Sequence, residues 1–113
     1  MAKLDFNALN EPVLELTMQD EDKTVIEVVA PTEGLIEELM NMGPELDEIA
    51  KSGDARSIKA IYELAARLIN CNRSFVTVTA EELRGKYKMK LFSMIIFYNS
   101  YFDFVSEINS AKN

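Results

Sequence analysis

The chain has no histidine and no tryptophan, and only one cysteine, Cys71, among its 113 residues. Without histidine it lacks the usual general base, the commonest metal ligand and the group that most often activates a nucleophilic thiol or hydroxyl. A lone cysteine forms no internal disulfide, which fits a reducing compartment. Four glycines and three prolines build no phosphate-cradling loop and no linker. No stretch reaches the ~18 apolar residues of a membrane span. The longest apolar run, Leu91–Tyr98, is already broken by Ser93. The opening Met1-Ala-Lys-Leu-Asp-Phe has no apolar signal core, so the sequon Asn72-Arg73-Ser74 reads as coincidence. These absences point away from an enzyme, a cofactor, a metal centre or membrane insertion, and toward an acidic, mostly helical binding or assembly protein.

The length suits one domain over residues 1–113, large enough to bury a core without staples. The net charge of −7 conceals two unlike halves. Residues 1–54 hold 14 acids and 3 bases, whereas residues 55–113 hold 5 acids and 9 bases. An acidic chain lacks the concentrated basic surface that nucleic acid requires. The asymmetry serves solubility and attraction between the halves; it also suits self-association or a partner with a basic face.

Residues 1–31 read as a lead-in, with Leu4, Phe6 and Leu9 tucked against the body, followed by a β-hairpin. Over Pro12–Gln19, Leu14, Leu16 and Met18 alternate with Glu15 and Thr17, the period of a half-buried strand. Gln19–Lys23 is a polar turn. Thr24–Ala30 is β-branched, with Ile26, Val28 and Ala30 on one face. A two-stranded hairpin is marginal alone and must lie on helices or join another sheet. Residues 32–113 form the helical body. Thr32 caps a helix whose stripe is Leu35, Ile36, Leu39 and Met40, and Gly43-Pro44 ends it. A short helix is expected over Pro44–Ser52, with Leu46 and Ile49 inward. Ile58, Ile61, Leu64, Ala65, Leu68 and Ile69 mark a stronger helix over Ala55–Asn70. A connector follows, extended at Phe75–Val78. Thr79 and Glu82 have capping-box spacing and open a short helix that Gly85 weakens.

The last helix, Lys90–Asn109, holds most of the aromatics. One wide arc gathers apolar residues from Leu91 to Ile108, including Met94, Ile95, Phe97, Tyr98, Tyr101, Phe102, Phe104 and Val105. An arc this wide meets several neighbours, so this helix should be central. Phe92 and Ile96 fall on the opposite, polar arc, one turn apart. They are either covered by the connector or hairpin, or part of a partner surface. The predicted fold is therefore α+β, predominantly α: a hairpin packed on four or five helices around a central apolar C-terminal helix.

Few residues suggest chemistry. Cys71 has no base beside it and reads as a small packed residue. Asp20, Glu21 and Asp22 lack the glycine and distal glutamate of a calcium loop and read as a solvated turn. The adjacent pairs Glu37/Glu38 and Glu81/Glu82 diverge on a helix and cannot share a substrate. Arg84-Gly85-Lys86-Tyr87-Lys88-Met89-Lys90 reads as a solvated connector or a contact for an acidic protein; four bases on an acidic chain do not make a nucleic-acid surface. The partner-facing candidates are thus Phe92, Ile96, Arg84, Lys86 and Lys88.

The layout has a resemblance. The opening Leu4-Asp5-Phe6-Asn7-Ala8-Leu9, the two short strands, Pro31-Thr32-Glu33-Gly34-Leu35, the stretch Leu64–Asn72 and the aromatic last helix ending Glu107–Asn113 together resemble the tail assembly chaperones of long-tailed phages and prophages of Gram-positive bacteria. The resemblance covers nearly the whole chain and contains no catalytic motif. It implies a non-enzymatic protein in the cytoplasm of the bacterial host. Such a protein binds the tape-measure protein, recruits tail-tube subunits and is absent from the finished tail. The family also makes a longer form by ribosomal frameshifting. Ala111-Lys112-Asn113 can be encoded by GCA-AAA-AAC, which contains a slippery heptamer, and the gene's codons test this directly. Two alternatives stay open: a structural tail or head-completion component retained in the virion, and a small inhibitor of a host enzyme. The hairpin edge also offers a route to self-association.

Overall fold

The computed structural model describes residues 12–42, 48, 51 and 54–110, with side chains as far as 108. Strands β1 (Leu14–Thr17) and β2 (Val25–Val28) form an antiparallel hairpin in which Leu14 faces Val28 and Thr17 faces Val25. Four helices follow among the described residues: α1 (Glu33–Met42), α2 (Ala55–Ile69), α3 (Ala80–Arg84) and α4 (Leu91–Ser110). The predominantly helical α+β architecture expected from the sequence is the one observed. The expected lead-in contacts of Leu4, Phe6 and Leu9 lie outside the described residues; of the short helix expected over Pro44–Ser52, Glu48 and Lys51 are described and helical, while Leu46 and Ile49 lie outside the described residues.

The hairpin turn is closed by its own acid. Met18 N–H donates to the Thr24 carbonyl at 2.8 Å, and Lys23 takes a left-handed backbone with φ 50°. The Asp20 carboxylate accepts from the Thr24 hydroxyl and from the Thr24 N–H, the latter at 2.8 Å. These two bonds, the hydroxyl first, hold the Asp20 carboxyl below its usual range. A depressed carboxyl contributes stability above the unfolded pKa of about 4 that is lost as pH falls through its lower folded value. Asp20→Asn is therefore expected to flatten the loss of stability between pH 5 and pH 2.5, as read by urea unfolding at a series of pH values.

The first three helices begin at a capping side chain. The Thr32 hydroxyl accepts from Leu35 N–H, and Asp54 accepts from Arg56 N–H at the start of α2. At α3 the capping box is complete: Glu82 N–H donates to the Thr79 hydroxyl, and Thr79 N–H donates back to the Glu82 carboxylate.

The core draws on both halves. From the hairpin come Met18, Ile26 and Val28; from α1 Leu39; and from α2 an almost continuous set from Ile61 to Ile69. From α4 come Met94, Phe97, Tyr98, Tyr101, Phe104 and Val105, so this helix is buried on a wide arc as expected. The Tyr98 hydroxyl crosses to donate to the Ile61 carbonyl at 2.6 Å. The Tyr101 hydroxyl is buried without a hydrogen-bond partner. In α1 the stripe is narrower than expected. Leu35, Leu39 and Met42 turn inward, while Met40 is about half exposed. One residue past Leu39 is a rotation of about 100°, which carries Met40 off the face.

The connector after α2 completes the sheet. Val29 N–H donates to the Cys71 carbonyl at 2.8 Å, Arg73 N–H to the Glu27 carbonyl at 3.0 Å, and Glu27 N–H to the Ser74 hydroxyl at 2.9 Å. Asn72 bridges to Val28 as an isolated antiparallel pair. The extended pairing thus falls on residues 71–74 rather than on Phe75–Val78. Phe75 is instead left-handed, φ 59°, and fully exposed.

Candidate functional site

A groove of about 250 Å³ runs between β1 and α4. Leu16, Thr17, Met18 and Gln19 form one wall; Ser93, Ile96, Phe97 and Ser100 form the other; Met89 closes one end. Successive residues of a strand point to opposite faces. Leu16 and Thr17 of β1, with Met18 and Gln19 just after it, all line the groove, which places it along the edge of the strand rather than on one of its faces. Its lining is mainly apolar, and two methionines give it adaptable walls.

The sequence-predicted candidates fall around this groove. Ile96 lines it and is 49% exposed; Phe92, one turn earlier on the same helix, is 71% exposed. Neither is covered by the connector or the hairpin, because α4 turns Phe97 and Tyr98 into the core and so points Phe92 and Ile96 away from it. Arg84, Lys86 and Lys88 lie on the segment leading to Met89. That segment is wound rather than loose: Tyr87 N–H donates to the Glu82 carbonyl and Met89 N–H to the Leu83 carbonyl, both at 2.9 Å. Tyr87 is buried. The Tyr62 hydroxyl donates to the Met89 carbonyl at 2.8 Å. Arg84 lies over the Tyr62 ring at 5.0 Å and Lys86 over the Tyr87 ring at 5.2 Å, cation–π contacts that fix where these charges stand. Lys88 is exposed on a left-handed backbone, φ 51°. Among the described residues none of Arg84, Lys86, Lys88 and Lys90 has an ion pair.

Sequence reading missed the β1 wall of the groove and the role of Met89. It also missed Phe75, the most exposed aromatic of the described residues, which stands on a loop tied by Asn72. The only available signal for Phe75 was an aromatic directly after the polar run Asn72-Arg73-Ser74. Elsewhere the surface offers less. A cleft between α1 and α2 has mixed polar and apolar walls and is spanned by Arg67 and Glu38 at 2.7 Å. Cys71 is partly buried, its thiol pushed up by burial, and its Sγ–H donates to the Arg67 carbonyl at 3.6 Å. Asp20 is committed to Thr24, and Glu21 and Asp22 are exposed beside it. Among the described residues no group of three or more His, Cys, Asp or Glu is placed to hold a metal ion. No described helix is long and apolar enough to cross a membrane.

Comparison of the chain with protein-family models, with curated proteins and with solved structures gives no match.

Proposed function

We propose that this protein acts by reversible binding of other proteins, without catalysis, and that it is a phage tail assembly chaperone. The observation that carries the binding role is the apolar groove along β1, with Ile96 in its wall and Phe92 exposed beside it. Exposed apolar surface of this kind marks interaction sites. The choice of partners comes from the resemblance alone. They are the long helical tape-measure protein, whose apolar surface would be masked until tube subunits replace the chaperone, and the tail-tube protein itself. Arg84, Lys86 and Lys88 would add electrostatic steering toward an acidic partner.

The test is a tagged pull-down from cells carrying the whole locus, read by mass spectrometry. Recovery of a tape-measure or tube protein is expected. Recovery of a host protein alone, or of nothing, sinks the chaperone reading; presence in purified particles turns it into a virion component. The double variant Phe92→Glu/Ile96→Glu should fold normally, because both positions are exposed. It should recover about tenfold less partner, the loss expected when apolar anchors of an interface are removed.

A further inference from the structure

The two edges of the hairpin are in different states. On β2 the outward groups of Glu27 and Val29 are taken by the segment 71–74. On β1 the bond from Met18 to Thr24 sets the alternation, so Leu14, Leu16 and Met18 turn their backbone groups toward β2 while Glu15 and Thr17 turn theirs outward. Among the described residues nothing pairs with the outward N–H and C=O of Glu15 and Thr17. The groove lies along that same edge. An open strand edge beside an apolar trough is the arrangement that takes an added strand: the backbone ladder supplies affinity and alternate side chains fill the trough.

Charge decides what kind of strand fits. At the Gln19 end the groove abuts the basic segment. With its nitrogen turned toward them, the Gln19 amide donates to the carbonyls of Lys88 at 3.2 Å and Tyr87 at 3.3 Å. Arg84, Lys86, Lys88 and Lys90 there carry four positive charges with no ion pair among the described residues. The nearby Asp20 accepts from Thr24 and also feels the charge of Lys86, and Glu21 and Asp22 are exposed in the same turn, so the acids there offset part of this charge and leave Lys88 and Lys90 the least engaged. The volume of about 250 Å³ suits a few side chains, below the ~300–1,000 Å³ usual for a small-molecule site.

We propose that an extended segment of a partner protein binds along β1 as an added strand, with apolar side chains at alternate positions in the groove and carboxylates over Lys86, Lys88 and Lys90. This rests on the protein-binding role above but not on the identity of the partner. A second copy of the chain is the less favoured occupant. Its own β1 leads into Asp20, Glu21 and Asp22, and antiparallel pairing of two β1 strands places that acidic turn away from the other copy's lysines.

The test uses the full chain and two capped peptides. Both share a Val-Thr-Leu-Thr-Val core; one has Glu-Glu at each end and the other Lys-Lys. Titration followed by NMR is expected to shift and protect the amides of Glu15 and Thr17. The acidic peptide should bind at least about tenfold more tightly at low salt, and the difference should shrink at high salt. Thr17→Pro removes one outward N–H without touching the β1–β2 ladder and should weaken binding about tenfold or more, while Thr17→Val should not. Ile96→Lys, at an exposed position that does not threaten folding, should weaken binding through the other wall. The proposal is overturned if neither peptide binds, if the shifts spare β1, if the lysine peptide binds as well, or if Thr17→Pro and Ile96→Lys bind normally. It is also overturned if the chain alone dimerises with concentration and Thr17→Pro abolishes the dimer, which assigns the edge to a second copy. A locus pull-down in which Thr17→Pro still recovers the tape-measure protein overturns strand addition and leaves the chaperone reading standing. A pull-down with no tail protein but normal peptide binding does the reverse.

Discussion

Tyr98→Ala is expected to lower the stability of the fold by about 3–5 kcal/mol, the usual cost of emptying a buried aromatic site. Tyr98 is fully buried on α4, packs edge-to-face with Phe97 at 5.5 Å and donates its hydroxyl to the Ile61 carbonyl. Its removal therefore loses the apolar contact between the two longest described helices and a buried hydrogen bond together. Tyr98→Phe isolates the second part and should cost about 1 kcal/mol. As a mid-helix carbonyl, Ile61 retains its own helical partner and is not orphaned. Three residues on, the sign reverses. The Tyr101 hydroxyl is buried with no partner, so Tyr101→Phe removes an unpaid desolvation cost while keeping the ring contacts to Phe97 and Phe104 at 5.6 and 5.9 Å. Tyr101→Phe should stabilise by about 1 kcal/mol. Burial pushes both phenols well above their ordinary range, so they stay protonated and the contrast should persist across the pH range. Urea midpoints of the four proteins, at constant slope, check the order Tyr101→Phe, wild type, Tyr98→Phe, Tyr98→Ala.

Asn72→Ala should produce the second large effect, about 2–4 kcal/mol from several partly buried hydrogen bonds lost at once. The Asn72 oxygen accepts from Ser74 N–H at 2.9 Å and Val76 N–H at 3.3 Å. Its nitrogen donates to the carbonyls of Ile69 and Val76, both at 2.8 Å. One side chain thus stands in for four backbone partners in a loop with no ladder of its own. Asn72→Asp keeps the acceptor but sets a carboxylate against two carbonyls, so it should be at least as harmful as alanine. Because the same loop covers the outer edge of β2, hydrogen exchange in Asn72→Ala should quicken at Glu27 and Val29 before it quickens in the core of α2. Equal acceleration throughout would mean that Asn72 supports the whole fold rather than this edge.

The hairpin, the α2 stripe and the Thr79 box were legible because each is local: period-2 alternation, helical spacing, and two residues three apart. The wide arc of α4 was legible for the same reason, and it correctly left Phe92 and Ile96 outside. The groove was not legible. Its walls come from residues 16–19 and 93–100, and nothing in either stretch announces the other. The asparagines were illegible in a different way. Asn70 pairs both its amide groups with Val78, at 2.9 and 2.7 Å, as Asn72 does with its own loop, and an amide that substitutes for a strand looks like any polar residue until the backbone it serves is in place. Met40 shows the limit of a stripe read by eye: an apolar residue one position off the face is carried to solvent by the pitch of the helix.

The asymmetry of the hairpin sets a stoichiometric ceiling. A sheet that is open on both sides can repeat its pairing step without end, which is how fibres grow. Here one side is already sealed by the chain's own residues 71–74. Whatever joins β1 meets a terminus rather than a template. Among copies of this chain, growth through this sheet stops after a single β1–β1 pairing, so the hairpin offers no route to fibres.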